Sequence, residues 1–339
     1  MTAERALVIP GPVRAGAAVR IVSPTGPSVV DLPRRARHGE DALHALGFTV
    51  TYGRHARELP DDGTRAGDPR RRAADLTEAF ADPGVDFVLA ADAGAFSRDI
   101  VEHLEPEVFA RNPKPFVGFC DNVFLNQFLA SAAGLGSLYG CALIPSLGDA
   151  PGAFPETSRG LAEALDSARP LVCTPVASRT GERVNWYTET ADTPPRYRGV
   201  AGGWTWLVPG RARGPLLGGE ITLLPDLIAD FGLRLSSAVL FWHNAFNGPD
   251  PQRSLRRLAD RTDLGGLAGM IVGPHPRIAP LRWAATVGDL LDELVPQAAY
   301  PVVVNADISH LSPTWTVPYG EEVVIDSAAG IVFPRQQTL

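Results

Sequence analysis

One cysteine stands where a strand is expected to turn sharply into a helix. The segment Pro-Phe-Val-Gly-Phe-Cys-Asp-Asn at 115–122 predicts an apolar strand over 115–119 and a helix that begins at Asn122. Glycine two positions before the cysteine permits a tight bend, which exposes the side chain and directs the next backbone N–H groups toward one point. Cys120 is therefore a candidate nucleophile. The alternative is a buried thiol that packs as a small apolar side chain.

A cysteine nucleophile needs a base, a group that orients the base, and donors for the oxyanion. His310 lies in a polar segment just past one predicted strand, and His243 ends another. The backbone N–H groups of Asp121 and Gly94 are candidate oxyanion donors, because both follow predicted strand ends. A histidine taken alone is more often a structural residue than a catalytic one. Their shared placement at strand ends favours a catalytic role.

Composition excludes several function classes. The 339 residues carry a net charge of −7 with a pI near 5.5, which argues against nucleic-acid binding. Cys120, Cys141 and Cys173 have no CxxC spacing, so neither a zinc site nor a disulfide framework is predicted, and no cofactor is expected. The apolar run at the N-terminus is too short for a signal peptide, and none later is long enough for a membrane span. We therefore expect a cytoplasmic protein that acts on a small molecule or peptide.

The first part of the chain alternates short β-rich runs with helical patterns. Strands are predicted at 19–23, 48–52, 87–91 and 115–119, and helices at 35–46, 70–80 and 122–133. Such alternation is typical of a parallel sheet covered by helices, whose ligands bind at the carboxyl ends of the strands. The Pro- and Gly-rich stretch 145–154 reads as a linker. We predict an α/β domain over 1–150 and a second domain over 151–339.

The second domain has a different character. In the range 184–206, the aromatic residues Trp186, Tyr187, Trp204 and Trp206 stand among glycines and prolines, which indicates β-structure and a long binding loop. Further strands are predicted at 238–242, 269–272, 302–305 and 323–325, and helices at 254–259 and 287–295. This domain would carry both candidate histidines toward the nucleophile.

The order of motifs resembles a known family across nearly the whole chain. The motifs are Val-Ser-Pro-Thr-Gly at 22–26, Pro-Lys-Pro-Phe-Val-Gly-Phe-Cys-Asp at 113–121, Tyr-Gly at 139–140, Gly-Pro-Leu-Leu-Gly-Gly at 214–219 and the segment 307–320. They are similar to those of the LD-carboxypeptidases and the microcin C immunity peptidases, the S66 serine peptidases. The resemblance implies an N-terminal parallel-sheet α/β domain, a β-rich, barrel-like α+β C-terminal domain, and a homodimer.

The resemblance also implies roles for three residues. Cys120 takes the place of the family's nucleophilic serine, His310 that of the base, and His243 that of the glutamate that orients the base. A thiol with a pKa near 8.5 is readily deprotonated by an adjacent imidazole. A neutral His243 could accept the N–H of His310 and fix its tautomer, so the two departures are mutually compatible.

Other departures concern the substrate. The family's Arg-Gly-Gly-Tyr loop is replaced by Asp-Ala-Gly-Ala at 92–95, which casts doubt on recognition of a peptide carboxylate. Glu220 follows two glycines where relatives have asparagine, and it could contact a substrate amine, orient the base, or be an ordinary surface carboxylate. Trp186 lies in the segment that, in the microcin-peptidase branch, stacks on a nucleotide-like ring. Asn244 and Tyr139 are further candidates for substrate binding.

Three functions remain open from the sequence. The first is acyl transfer through a thioester on Cys120, as an acyltransferase or cyclase in small-molecule biosynthesis. The second is hydrolysis of an amide, as in an LD-carboxypeptidase or a microcin C self-immunity peptidase. The third is a ligand-binding homologue without catalytic activity.

Overall fold

The protein is built from two main β-sheets with helices packed against them. The computed structural model describes residues 7–60, 66–246, 248, 250–297 and 299–335. In these residues the strands are β1 (Ala18–Val22), β2 (Thr49–Tyr52), β3 (Phe87–Ala90), β4 (Phe116–Gly118), β5 (Ser137–Tyr139), β6 (Leu171–Cys173), β7 (Ser178–Arg179), β8 (Gly199–Val200), β9 (Thr205–Val208), β10 (Arg211–Glu220), β11 (Val239–His243), β12 (Gly269–Val272), β13 (Val302–Val304), β14 (Val317–Tyr319), β15 (Glu322–Asp326) and β16 (Gly330–Phe333).

The helices alternate with these strands. They are α1 (Ser28–Asp31), α2 (Pro33–Ala45), α3 (Pro69–Ala81), α4 (Pro106–Arg111), α5 (Val123–Phe128), α6 (Pro155–Leu165), α7 (Leu224–Phe231), α8 (Pro251–Ala259) and α9 (Pro280–Leu294). Local chemistry sets several starts. In α3, Pro69 occupies the first turn and the Asp68 carboxylate accepts the N–H of Arg70 at 2.8 Å, which caps the helix. The same Asp-Pro arrangement starts α8.

The first sheet has six strands in the order β14, β5, β4, β3, β1, β2. Strands β1 to β5 are parallel, and β14 pairs antiparallel with β5. The carboxyl ends of β1, β3 and β4 therefore lie along one edge, as the sequence predicts. Because β14 comes from the C-terminal part of the chain, the segment 305–316 must cross from the second sheet to the first.

The second sheet has eight strands in the order β6, β16, β15, β10, β11, β12, β13, β9. Its centre, β10 to β13, is parallel, and its flanks are antiparallel. The fold is thus the expected pairing of a parallel-sheet α/β domain with a sheet-rich C-terminal domain. The hydrogen-bonded order ends at β6 and β9, so this sheet is open rather than barrel-like.

The stretch predicted as a linker, 145–154, is packed over its first half, whereas Pro151 and Gly152 are exposed. Residues 143–147 form a helical turn in which Leu143, Ile144 and Leu147 are fully buried against α2. Apolar burial outweighs the loop tendency of the local Pro and Gly. The domain boundary near residue 150 stays a prediction. Across the described ranges, no helix is both long and apolar enough to span a membrane.

Candidate active site

The backbone bends at Cys120 as a nucleophile-bearing turn requires. Cys120 has φ of +54°, directly after β4 and at the start of a 3₁₀ turn over Cys120–Asn122 that leads into α5. A Cβ placed on Gly118 would lie 2.7 Å from Cβ of Asn122 and 2.8 Å from the Phe116 ring, so only glycine fits there. A non-glycine residue in the left-handed region is strained by about 1–2 kcal/mol. The sharp strand-to-helix turn expected from the sequence is present.

The second sheet and its crossing segment bring both histidines to this turn. His243 ends β11, and His310 lies in the crossing segment 305–316. That segment is held by Asp307, whose carboxylate accepts from Arg179 at 2.7 Å and from Trp204 Nε1 at 3.1 Å. The ring centroids of His243 and His310 are 5.0 Å apart. The histidines predicted from strand ends are therefore neighbours in space.

Phe119, the residue before the candidate nucleophile Cys120, packs against both imidazoles. Its ring centroid is 4.7 Å from that of His310 and 5.7 Å from that of His243, on which it stacks. No hydrogen bond joins the Cys120 thiol to either histidine in the described part of the chain. Catalytic hydrogen bonds are often long or poorly aligned without substrate and tighten when substrate binds. In the resting protein both imidazoles therefore lie against the neighbour of Cys120 without a hydrogen bond to its thiol.

The resting thiol is neutral. Burial raises the pKa of Cys120 well above its usual value, and the carboxylates of Glu220 and Asp121 raise it further, whereas the Asp121 N–H acts in the opposite direction. Burial also lowers the pKa of His243 well below its usual value, with a contribution from His310. Burial and the nearby carboxylates thus favour the neutral thiol, in contrast to the easily ionised thiol expected from the sequence, and burial favours neutral imidazoles.

Glu220 is not a surface carboxylate. It is 2 % exposed, ends β10 and pairs with His243 in the sheet register. One carboxylate oxygen accepts the N–H of Thr222 at 2.9 Å and also bonds the Thr222 hydroxyl, and the other accepts the N–H of Ala245 at 3.3 Å. Glu220 makes no hydrogen bond to His243 or His310 in the described residues, and its observed hydrogen bonds hold the end of β10.

The remaining predicted site residues fall in different places. Tyr139 is fully buried, and its hydroxyl lies 2.7 Å from Nε2 of His243, so it does not line a substrate cleft. Asn244 is 2 % exposed, and neither side-chain polar atom has a hydrogen-bond partner in the described residues. The loop with Gly94 is joined to the nucleophile turn, because Asn122 Nδ2 donates to the Asp92 carbonyl at 2.6 Å.

A cleft of about 650 Å³ opens beside the histidine pair. Phe119 and His310 form part of its wall, and Trp186 and Phe246 face them. Cys120 keeps only 8 % of its surface exposed. The cleft is therefore large enough for a small-molecule ligand, and an aromatic wall suits a flat group.

A buried arginine that sequence reasoning missed holds one wall of the cleft. Arg35 of α2 donates to both carboxylate oxygens of Glu189, at 2.7 and 2.6 Å, and to Asp149 at 3.2 Å. Its guanidinium also lies over the Trp186 ring, 4.5 Å from the centroid. We call residues 181–198 the binding loop. Nothing in the sequence pattern marks Arg35, because its partners are more than a hundred residues away.

The raised pKa of Cys120 predicts slow alkylation. We expect iodoacetamide to modify Cys120 slowly at pH 7 and faster as pH rises, because only the thiolate reacts. Replacing Glu220 by glutamine removes a negative charge that raises the thiol pKa, so the rate at pH 8.5 should increase. Peptide mass spectrometry would follow Cys120, with Cys173 as the internal reference. Rapid modification below pH 7, or a slower rate in E220Q, would contradict this electrostatic picture.

The lowered pKa of His310 predicts that the stability of the fold depends on pH. Burial lowers the pKa of His310 to about 4, with an opposing contribution from the Asn244 backbone. The unfolded chain binds a proton at His310 near pH 6.5, so this residue's contribution to stability is lost as pH falls from about 6.5 toward 4. His310→Gln should lose less stability than the wild type between pH 7 and 4.5 in urea unfolding. His44→Gln, at an exposed position, serves as the control. Equal losses of unfolding free energy in the wild type, H310Q and H44Q would refute the assignment of this pH dependence to His310.

The fold and site together define a class. A nucleophile on a strand-to-helix turn at the carboxyl edge of a parallel sheet, with histidines supplied by a second sheet, is typical of enzymes that attack carbonyl groups. Residues 19–140 match the profile of the LD-carboxypeptidase N-terminal domain, and residues 213–325 match that of the C-terminal domain. The chain belongs to the LD-carboxypeptidase family, the S66 peptidases, which are hydrolases of amide bonds.

Similar proteins extend over nearly the whole chain. A Bacillus subtilis protein named as a probable murein peptide carboxypeptidase is 26% identical over 317 residues, 92% of this chain and 90% of its own. The microcin C7 self-immunity protein MccF of Escherichia coli is 22% identical over 324 residues, 94% and 93% of the two chains. MccF has been solved with aspartyl sulfamoyl adenosine, with a TM-score of 0.80, 21% identity and coverage of 98% and 99%.

A third protein has a similar fold. The MccF-like protein of Bacillus anthracis has a TM-score of 0.86 and 23% identity, and covers 96% of this chain and 99% of its own. At this level of identity the likeness concerns the fold. The roles of Cys120, His243 and His310 therefore have to be argued from this chain's own geometry.

Proposed function

We propose that this chain is an acyl-transfer enzyme in which the Cys120 thiol attacks an amide or ester carbonyl. A carbon–sulfur bond forms, the bond to the leaving group breaks, and the thiol proton passes through His310 to the leaving group. An acceptor then attacks the thioester, gives its proton to His310 and releases the thiolate, which regains a proton. Thioesters react readily with amines, so an amine acceptor suits an acyltransferase or cyclase in small-molecule biosynthesis.

The strained backbone at Cys120 carries this proposal. A φ of +54° persists in a cysteine only where the surrounding structure enforces it, and such outliers cluster at functional sites. The N–H of Asp121 lies against the sulfur and lowers the pKa of the thiol, so it is placed to donate to a developing negative charge. A structural thiol would need neither the strain nor that donor.

Hydrolysis is the second candidate, because the family hydrolyses amide bonds and water can serve as acceptor. The relatives suggest two substrate types, a murein peptide and an aminoacyl sulfamoyl nucleoside. The aromatic wall of the cleft favours the second type. The aromatic wall at Trp186 suits a nucleobase.

A panel of acyl donors with two acceptors tests the proposal. An aminoacyl sulfamoyl adenosine, an L,D-dipeptide and p-nitrophenyl esters would each be incubated with the protein in water alone and with an added primary amine. Liquid chromatography and mass spectrometry would quantify free acid and amide product. Cys120-dependent amide formation that exceeds hydrolysis supports acyl transfer, and acid alone assigns the chain to hydrolysis. Products from C120A equal to those of the wild type would refute both, and no product from any donor would favour the ligand-binding homologue.

A further inference from the structure

Tyr139 and His243 form a buried pair behind the cleft. Both side chains are 0 % exposed, and the Tyr139 hydroxyl lies 2.7 Å from Nε2 of His243. Tyr139 belongs to β5 and His243 ends β11, so the bond connects the two sheets. A fully buried hydroxyl cannot bind a substrate in the cleft. Its role must therefore be exerted through His243.

The direction of this hydrogen bond follows from the polar atoms around it. A neutral imidazole has one donor and one acceptor nitrogen. If Nε2 of His243 donated to Tyr139, the tyrosine O–H would be a buried donor without an acceptor among the described residues, and Nδ1 would also lack a donor. If Tyr139 donates, its proton is satisfied and His243 carries its own proton on Nδ1. The second arrangement leaves fewer buried polar atoms unpaired, which is the usual outcome in proteins.

The nucleophile's backbone supports the same direction. Burial raises the pKa of Tyr139 well above its usual value, and the Cys120 N–H acts in the opposite direction, as a donor to the phenol oxygen does. An oxygen that receives this N–H can still donate its own proton to His243. The order is then from the Cys120 amide to Tyr139 and from Tyr139 to His243.

We propose that Tyr139 is a positioning residue that holds His243 as its Nδ1–H tautomer. This rests on the proposed function, in which His310 is the base. His243 then has no free acceptor nitrogen for His310, so the sequence-based hypothesis that His243 orients the base by accepting its proton is replaced.

Nitrogen-15 NMR of histidine in the resting protein tests the tautomer without substrate. At pH 7 we expect His243 Nε2 to show the shift of an unprotonated, hydrogen-bond-accepting nitrogen and Nδ1 that of a protonated one. Tyr139→Phe should remove this preference and give a mixture. Tyr319→Phe is the matched control, because Tyr319 is equally buried, lies on the strand paired with β5, and bonds Gln127 at 2.8 Å. It should leave the His243 signals unchanged.

The outcomes separate this proposal from the proposed function. A protonated Nε2 of His243 in the wild type would overturn the tautomer assignment, even if Cys120 remains essential for turnover. An unchanged His243 tautomer in Y139F would overturn the role of Tyr139, and if that variant fails to fold, the wild-type spectrum still decides the tautomer. In the folded variant, kcat should fall about tenfold with KM unchanged, the pattern of a lost positioning contact. A change in KM alone would contradict it.

Discussion

Replacing Cys120 by alanine is expected to lower kcat by roughly 10⁴-fold, because the nucleophile and the thioester that it forms are both lost. The fold should persist, since alanine removes a single side-chain atom from Cys120, which is buried at 8 % exposure. Cys120→Ser should also be poorly active, because a serine needs a carboxylate to stabilise the imidazolium and His243 offers none. The measurement is steady-state kinetics with the most active ester of the donor panel.

Cys173→Ala is the matched control for this experiment. Cys173 is buried to a similar degree in β6, and it lies outside the nucleophile turn. It should retain wild-type kcat while showing a similar small change in thermal stability. If C120A kept full activity, or if C173A lost as much activity as C120A, the covalent role of Cys120 would be wrong.

Replacing Arg35 by methionine is expected to release the binding loop and to lower the free energy of unfolding by about 3 kcal/mol or more. The change removes the partner of Glu189 and one partner of Asp149, whose side chains are 2 % and 1 % exposed, and an unpaired buried charge is costly. Trp186 also loses the guanidinium that lies over its ring. Limited trypsin digestion should then cut faster after Arg183, Arg196 and Arg198, and KM should rise.

A second arginine provides a control with the same geometry. Arg256 of α8 also forms a bidentate ion pair with a glutamate. Its guanidinium donates to the two carboxylate oxygens of Glu293, at 2.8 and 2.7 Å, but both side chains are exposed. Exposed pairs contribute little to stability because water competes for both ions. Arg256→Met should therefore leave unfolding, proteolysis and KM near wild-type values. Equal proteolysis in the two variants would show that Arg35 does not hold the loop.

The first domain is predictable from sequence where local pattern decides the structure. The strands expected at 19–23, 87–91 and 115–119 are observed as β1, β3 and β4, and the helix expected at 70–80 is α3. Asp-Pro starts and runs of β-branched and aromatic residues act over short distances, so one sequence carries their signal. The nucleophile turn belongs to the same group, because glycine and the apolar run that define it are neighbours of Cys120.

Strand β10 illustrates what local pattern does not reveal. It contains Gly214, Pro215, Gly218 and Gly219, residues that weaken a strand. It is a strand because other parts of the chain approach its backbone. A Cβ on Gly218 would lie 1.8 Å from the Phe241 carbonyl oxygen, and one on Gly219 would lie 3.1 Å from Val123. These contacts place the second sheet against α5 and the nucleophile turn, and they depend on packing between distant segments.

The candidate site also contains residues that local sequence predicts and residues whose place only the whole fold decides. Residue type and strand ends identify Cys120, His243 and His310, and the structure places both imidazoles against Phe119, the neighbour of Cys120. Sequence alone assigns Tyr139 to substrate and leaves Glu220 open, because burial is a property of the whole fold. The homodimer implied by the resemblance stays a prediction.

The most direct test of the thioester is the intact mass of the protein during turnover. Acid quenching of the wild type with a sulfamoyl adenosine or ester donor should reveal a mass increase equal to the acyl group. That mass should map to the peptide that contains Cys120, disappear on treatment with hydroxylamine, and be absent from C120A. Steady turnover with no adduct at any quench time, together with wild-type activity in C120A, would contradict a covalent intermediate on this cysteine.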